Sequence, residues 1–458
     1  MPFWDKLEDL LPPDIISSSQ EEKYVYRTDS TKYKGEPDLV VNVTNQKEVL
    51  ITVNFAAKNE IPIIPRGAGS GMSGGAVPVK GGIVLNFEKM NKILKIDKRN
   101  RIAYVQPGVV VSELQEKVKE MGLYYPPDPS SNKVATIGGT IAENAGGLHC
   151  VRYGVTSRYV KGLKFVDSTG YLYSYGIFSN KSLPGASILI GSEGTLGIIT
   201  EIALELLDEP ILKDTFISYH SSFMDAVDTV IKIKQTNIDP SVMEIIDNNA
   251  LNAVTQFKDI SLLEDTDTVL IIQLDSNLLP DLLYRSSELE NLFKKLKILG
   301  YKKAESNDEA ESIWDVRRAI SSSIKRISPN KLNEDISIPV SEFPRITDLV
   351  RNIGEKYGLR IVIYGHAGDG NLHINILYDK DDKSEVDNTR FAAEEIFKST
   401  VQLGGSITGE HGIGLSKKTF LSLQYSKDEI GFMKKLKKAF DPDLIINPDK
   451  IFNVQREN

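Results

Sequence analysis

Pro65-Arg66-Gly67-Ala68-Gly69-Ser70-Gly71-Met72-Ser73-Gly74-Gly75 follows directly on the β-type run Ile61-Pro62-Ile63-Ile64. Five glycines and two serines in so short a stretch expose consecutive backbone N–H groups, which can form a nest for an anion such as phosphate. Gly69, Gly71 and Gly74 satisfy the G-x-G-x-x-G pattern, but the dinucleotide reading of that pattern needs a helix where the pyrophosphate would lie. Pro78, Gly81 and Gly82 follow instead. No Gly-Lys-Ser/Thr is present, which excludes a P-loop. A phosphate nest on another α/β framework and an ordinary wide loop remain as the two readings.

Two further segments share this chemistry. Pro126-Pro127-Asp128-Pro129 leads into Thr136-Ile137-Gly138-Gly139-Thr140-Ile141-Ala142-Glu143-Asn144-Ala145-Gly146-Gly147, and Gly191-Ser192-Glu193-Gly194-Thr195-Leu196-Gly197-Ile198-Ile199 comes later. Glycines for close backbone approach beside hydroxyls for hydrogen bonding suit a planar, phosphate-bearing cofactor lying across several loops. Around them, residues 38–205 read as a sheet with helices. Leu39-Val40-Val41 is a short strand, and Val49, Leu50, Val53, Ala56 and Ala57 fall at helical spacing behind an Asn45 cap with Glu48 three on. Strands recur at Gly82–Phe87, Ile102–Val105 and Leu163–Val166, and Ser112-Glu113-Leu114-Gln115 predicts a capping box opening a helix that ends at Gly122.

From residue 206 to about 440 the pattern changes. Amphipathic helices at Met224–Lys234, Leu282–Leu299, Glu309–Ile327 and Glu385–Leu403 alternate with strands at Val269–Leu274, Ile336–Ile338, Arg360–Tyr364 and Leu372–Leu377. This predicts an antiparallel α+β domain with helices on one face. The tail Asp441–Asn458 has Pro442, Pro448 and no helical period, and is expected to return to another domain as an extended segment. The expected division is 1–205 with 441–458 returning to it, and 206–440.

Composition sets outer limits. At 458 residues the chain has room for two or three domains, and its 41% hydrophobic and 26% charged content is ordinary for a globular protein. A net charge of −8 and a pI near 5.4 argue against nucleic acid as a partner. No apolar run reaches the length of a membrane span, and Met1-Pro2-Phe3-Trp4-Asp5 lacks the basic start of a signal peptide, so a cytoplasmic protein is expected. The single Cys150 excludes an internal disulfide or a thiolate-held iron–sulfur cluster within this chain.

The strongest chemical signal lies in two glycine-framed loops, Tyr364-Gly365-His366-Ala367-Gly368-Asp369-Gly370-Asn371-Leu372-His373 and Gly409-Glu410-His411-Gly412, which hold three of the five histidines. Imidazole and carboxylate are ligands for a zinc-like ion, and three protein ligands with one place open is a catalytic arrangement. On one straight strand His366 and His373, seven apart, would face opposite ways; the Gly368-Asp369-Gly370-Asn371 run lets the chain double back so that they can converge. The competing reading is two core histidines flanking a hairpin turn. Adjacent residues on an extended segment face opposite ways, so Glu410 is assigned to the metal and His411 to acid–base work.

Taken together, these motifs resemble the flavoproteins with a vanillyl-alcohol-oxidase-type FAD domain and an FAD-linked-oxidase C-terminal domain. That family includes D-lactate dehydrogenases, D-2-hydroxyglutarate dehydrogenases, the flavin subunit of glycolate oxidase and alkylglycerone-phosphate synthases. The resemblance runs from about Leu39 to Phe452. It implies an α+β fold, with a two-part FAD-binding domain and a ferredoxin-like antiparallel α+β cap. It implies that Arg66, Gly67, Ala68, Gly69, Ser70, Gly71, Ser73 and Gly74 cradle the FAD pyrophosphate. Pro127, Asp128, Thr136, Gly139, Asn144 and Gly146 would line the flavin, Glu193, Gly194, Gly197, Ile198 and Ile199 would complete the pocket, and Asn447 lies in the returning tail. His366, His373 and Glu410 match the family's divalent-metal ligands, zinc being expected, and His411 matches its active-site histidine. Asn375 matches a polar residue near the substrate, and Arg317 of Trp314-Asp315-Val316-Arg317 matches the arginine that holds the substrate carboxylate; its competing reading is a solvated helix charge. Where hydroxyglutarate enzymes carry a lysine two residues before the position of Asp335, this chain has Asn333.

The expected activity is oxidation of a D-2-hydroxy acid, D-lactate first, to the 2-keto acid by non-covalently bound FAD. Glycolate or D-2-hydroxyglutarate oxidation and a redox-neutral alkylglycerone-phosphate-synthase-like transfer are the alternatives. Expected partners are an electron acceptor (a quinone, a cytochrome, an electron-transfer flavoprotein or an iron–sulfur subunit) and a second copy in a homodimer, with peripheral association at the inner membrane face as a further expectation.

Overall fold

A computed structural model of the chain describes residues 4–328 and 330–454. Met1–Phe3 of the start read for a leader, and the last four residues of the predicted tail, lie outside the described residues. The chain divides into two compact units, Met1–Gly146 with Val155–Glu209 and Glu410–Asn458, and Gly147–Gly154 with Pro210–Gly409.

Among its described residues the first unit holds a two-stranded pair, Leu123–Tyr124 with Leu207–Asp208, and two main sheets. In the smaller, strands β1 (Leu39–Asn42), β2 (Ile63–Arg66) and β3 (Ile83–Asn86) run parallel in the order β1-β3-β2, with the two-residue strand Ile16–Ser17 antiparallel on the β1 edge. Helix α1 (Gln46–Lys58) crosses over from β1, and the Asn45 side chain accepts the Glu48 N–H as its cap. β1 and β3 are buried along their whole length, as a parallel sheet requires. The larger sheet is antiparallel: β4 (Ile93–Asp97), β5 (Ile102–Val105), β8 (Ile198–Glu205), β6 (Val160–Val166) and β7 (Leu172–Gly176), in that spatial order. The predicted capping box at Ser112 does not form. Helix α2 (Val111–Lys119) has Val110 as its N-cap, two residues before Ser112 and without a side-chain cap, and the Ala135 carbonyl accepts the Val111 N–H at 2.9 Å.

The last segment rejoins this unit at Glu410 rather than at Asp441. Helix Lys427–Phe440 is fixed by Lys437, whose buried ammonium donates to the carbonyls of Thr195 and Ile446, both at 2.6 Å, and to the fully buried Asp441 carboxylate. Beyond it the chain runs beside β2, with the Ile63 N–H on the Ile445 carbonyl and the Asn447 N–H on the Ile63 carbonyl, both at 2.7 Å.

The second unit is one antiparallel sheet of seven strands. These are β9 (Leu212–His220), β10 (Val242–Ile246), β11 (Thr268–Ser276), β12 (Gly300–Lys303), β13 (Asn330–Ser337), β14 (Arg360–His366) and β15 (Asn371–Tyr378), arranged β12-β9-β11-β10-β14-β15-β13. Helices cover both faces, not one. Asn248–Thr255 and Asn307–Ile327 pack on the face of Ile217, Ile246, Val362, Tyr364 and Leu377. Phe223–Lys234, Leu279–Phe293, Phe343–Tyr357 and Lys383–Gln402 contact the strands as well, and Phe293 meets Phe216, which alternation along β9 puts on the face opposite Ile217. Long apolar runs such as Val269 to Leu274, buried at every position, carry this two-sided burial. Among the described residues no helix is long and apolar enough to cross a membrane.

Lys437→Met would leave Asp441 buried with only the backbone N–H groups of Ile445 and Ile446. We expect a loss of about 3 kcal/mol in denaturant unfolding of the full chain, partly recovered in Lys437→Met/Asp441→Asn.

Candidate active site

In the first unit the glycine loop after β2, helix Ile137–Glu143, the turn before β8 and the start of the last segment line one cleft. Of the residues predicted to meet the cofactor, Arg66, Gly67, Ala68, Gly69, Ser70, Gly71, Thr136, Gly139, Gly146, Glu193, Gly194, Gly197 and Ile199 lie in its wall. Ser73, Gly74, Pro127, Asp128, Asn144, Ile198 and Asn447 stand behind that wall. The Ser73 carbonyl accepts the Leu415 N–H at 2.7 Å, Gly74 lies against the Leu415 side chain, and Asn447 donates to the carbonyls of Gly75 and Glu193 at 2.9 and 3.0 Å. The Pro127 carbonyl and the Asp128 carboxylate accept from Gln115 and Asn132, Asn144 accepts the Ser157 N–H, and Ile198 alternates with Ile199 to face the core. One guanidinium nitrogen of Arg66, Nη1, donates to the Thr28 carbonyl at 2.7 Å, and the group lies 5.3 Å over the Tyr26 ring.

Glu410 and His411 line the same cleft. The expectation that they face apart rested on an extended backbone, whereas Gly409–His411 is a run of bends that brings the His411 Nε2 within 4.0 Å of the Glu410 carboxylate. The bends are pinned by Glu193, a buried residue at φ +52° whose two carboxylate oxygens accept the N–H groups of Ile413 and Gly414, each at 2.7 Å. Glu143, which the sequence reading passed over, also lines the cleft; a Cβ on Gly412 would lie 2.7 Å from its carboxyl and 3.0 Å from that of Glu193. Burial and then the Glu193 carboxylate push Glu143 well above the usual carboxylate range. The proton of the pair belongs on Glu143, because both Glu193 oxygens are occupied as acceptors.

In the second unit, β14 and β15 form the hairpin predicted around Gly368–Asn371. Tyr364 pairs with His373 and His366 with Asn371, so both imidazoles fall on one face, with ring centroids 5.2 Å apart. Gly370 takes φ +88° at the turn, and its backbone packs so closely on the Ile338 carbonyl that a Cβ would lie 2.4 Å from it. The residue that sequence reading missed is Glu244. It sits in the buried run Val242-Met243-Glu244-Ile245-Ile246, where a lone carboxylate among apolar neighbours was the available signal, and it pairs in register with His366. His366 Nδ1 donates to one of its oxygens and Arg317 Nε to the other. Burial alone would raise the Glu244 carboxyl, but His366 and Arg317 beside it bring it down to about 2.

Arg317 is therefore no solvated helix charge. Its guanidinium lies 4.6 Å over the Tyr364 ring. Asn375, on the same sheet face as His373, is fully buried, and neither atom of its amide has a hydrogen-bond partner among the described residues. On the neighbouring strand Asp335 pairs with His373 and accepts the Gly409 N–H at 2.7 Å.

Residues 215–451 match the family described as FAD linked oxidases, C-terminal domain, and residues 37–176 match the FAD binding domain. The glycolate oxidase subunit GlcD of Bacillus subtilis is 38% identical over 96% of this chain and 94% of its own length. This chain belongs to the FAD-linked oxidases. A D-lactate dehydrogenase of Anaerostipes hadrus is 31% identical over 98% of this chain and 96% of its own. The fold of this FAD-linked oxidase is that of the vanillyl-alcohol-oxidase type: a crystal structure of p-cresol methylhydroxylase covers 100% of the chain and 97% of its own with a TM-score of 0.82 at 18% identity.

The cleft of this FAD-linked oxidase fits its cofactor by what it omits. A Cβ on Gly67 would fall 2.2 Å from the Thr136 hydroxyl, so the loop and the helix cap meet with no space for a side chain. Gly67→Ala is expected to force them apart and raise the FAD dissociation constant at least about tenfold, roughly 1.4 kcal/mol, as measured by flavin fluorescence on titration of the apoprotein.

Proposed function

We propose that this FAD-linked oxidase is a D-2-hydroxyacid dehydrogenase, with D-lactate as the preferred substrate and glycolate or D-2-hydroxyglutarate as alternatives. The observation that carries the reading is the pair of imidazoles on the β14–β15 hairpin, 5.2 Å apart, with His366 held by a buried carboxylate. The two relatives above, a glycolate oxidase subunit and a D-lactate dehydrogenase, support the substrate class.

His366, His373 and Glu410 are assigned as ligands of one divalent ion, zinc by the nature of the donors. When bound, the ion supplies a Lewis acid at the substrate hydroxyl and the flavin a hydride acceptor. Arg317 takes the substrate carboxylate through its terminal nitrogens, since its Nε is given to Glu244. Asn375 offers the substrate an amide that the protein leaves unsatisfied, and a buried amide without partners carries a cost that a bound ligand removes. His411 receives the hydroxyl proton, imidazole being the side chain that exchanges protons near neutral pH. With one cysteine the chain has no cluster of its own, so its electrons pass to a quinone, a cytochrome, an electron-transfer flavoprotein or an iron–sulfur subunit.

Anaerobic addition of D-lactate should bleach the flavin absorbance of the purified protein, and L-lactate should not. Failure of D-lactate, glycolate and D-2-hydroxyglutarate alike to reduce the flavin would refute the proposal. His373→Ala should abolish turnover while FAD stays bound at wild-type stoichiometry, because His373 belongs to the second unit and the FAD cleft to the first. Full activity in that variant after chelation would remove the metal assignment.

A further inference from the structure

We propose that Glu244 couples the metal ligand to the substrate clamp, so that occupancy of the cation site and binding of the substrate carboxylate rise and fall together. The inference rests on the dehydrogenase reading above and concerns what Glu244 does beyond holding His366 and Arg317 in place. Glu244 is fully buried at the centre of β10, in a position where Val242 and Ile246, two residues either way on the same face, are apolar. A hydrophobic residue would fill that place at less cost than a carboxylate. What the carboxylate adds is two directed acceptors, one per partner: Oε1 for the Nδ1 of His366 and Oε2 for the Nε of Arg317.

Each bond fixes a functional atom. An ionised carboxylate can only accept, so the ring proton of His366 must sit on Nδ1, which leaves the lone pair on Nε2, the nitrogen assigned to the metal. On the other side, Glu244 and the Tyr364 ring together hold the guanidinium plane, which sets the direction of its terminal nitrogens. The two partners compete for one negative charge. A substrate carboxylate on Arg317 draws guanidinium charge away from Glu244. Glu244 then polarises His366 more strongly and makes it a better donor to the cation. By linkage the cation must strengthen carboxylate binding by the same factor.

Glu244→Gln separates this role from packing, because it keeps the shape. The amide oxygen can still serve Arg317, but its N–H then faces His366 Nδ1 and moves the ring proton to Nε2. The experiment is zinc affinity by chelator competition on the FAD-loaded protein, with and without propionate, a carboxylate that lacks the substrate hydroxyl. Wild type is expected to bind zinc several-fold tighter with propionate present. Glu244→Gln is expected to bind zinc about 10- to 100-fold more weakly and to show no propionate effect, with its FAD content unchanged. If the single variant does not fold, Glu244→Gln/Arg317→Gln removes both charges and carries the same expectation for zinc. Wild-type zinc affinity in the folded variant, or an equal propionate effect in both proteins, would overturn the coupling; a residue needed only for stability would lower the unfolding temperature and leave zinc affinity intact. A wild-type protein that takes up no divalent ion would instead overturn the metal reading itself.

Discussion

One carboxylate sets the shape of the cofactor side of the molecule. Glu193 stands in a left-handed turn before β8. Its own N–H is bonded to the Ala142 carbonyl at 2.8 Å, and both side-chain oxygens hold the backbone of Ile413 and Gly414. Charge-assisted bonds of this kind contribute on the order of 1.5–3 kcal/mol each. Here they also decide geometry. They gather the end of helix Ile137–Glu143, the turn before β8 and the bends after Glu410, three stretches far apart in sequence, into one wall. Asn447 and Lys437 repeat the device from behind, donating to carbonyls of the same turn. Most of the cofactor side is thus an arrangement of loops, and its order depends on a few buried charged or amide groups.

The second unit works by a different constraint. On β14 and β15 strict alternation sends Ile361, Ile363, Ile374 and Ile376 to one face and Tyr364, His366, His373 and Asn375 to the other. Both faces are buried, so a slip of one residue in this register would exchange them and carry the two imidazoles away from Glu244 and Arg317. The hairpin turn and the pairing with β10 and β13 on either side exclude such a slip. Rigid strands, rather than loops, position these side chains, and the helix Asn307–Ile327 lays Arg317 over them.

Local rules read from the chain reached the elements governed by local physics. The Asn45 cap, the β14–β15 hairpin and strand Ile102–Val105 follow from residue types within a few positions of one another. The misses have a common cause. Ser112 has the residue types of a capping box, but the helix starts with Val110 as its N-cap, where the Ala135 carbonyl, twenty-four residues beyond Val111, accepts the Val111 N–H. The predicted helix Leu282–Leu299 stops at Phe293, because the residues after it turn to lead into strand β12. Placement of helices on both faces depends on which strands become neighbours. Glu244 was hidden for the same reason: a single carboxylate in an apolar strand has meaning only once His366 and Arg317, both more than seventy residues away, are known to lie against it.

The return of the chain at Glu410 has a bearing on how the protein is made. Glu193 leaves the ribosome long before Ile413 and Gly414, and the whole stretch Pro210–Gly409 is translated between them. The second unit has its complete sequence at that stage, so it can fold while the first still lacks part of its cleft. The wall that Glu193 builds therefore waits for the stretch after Glu410, and the pairing of Ile445 and Asn447 with β2 can follow only after that.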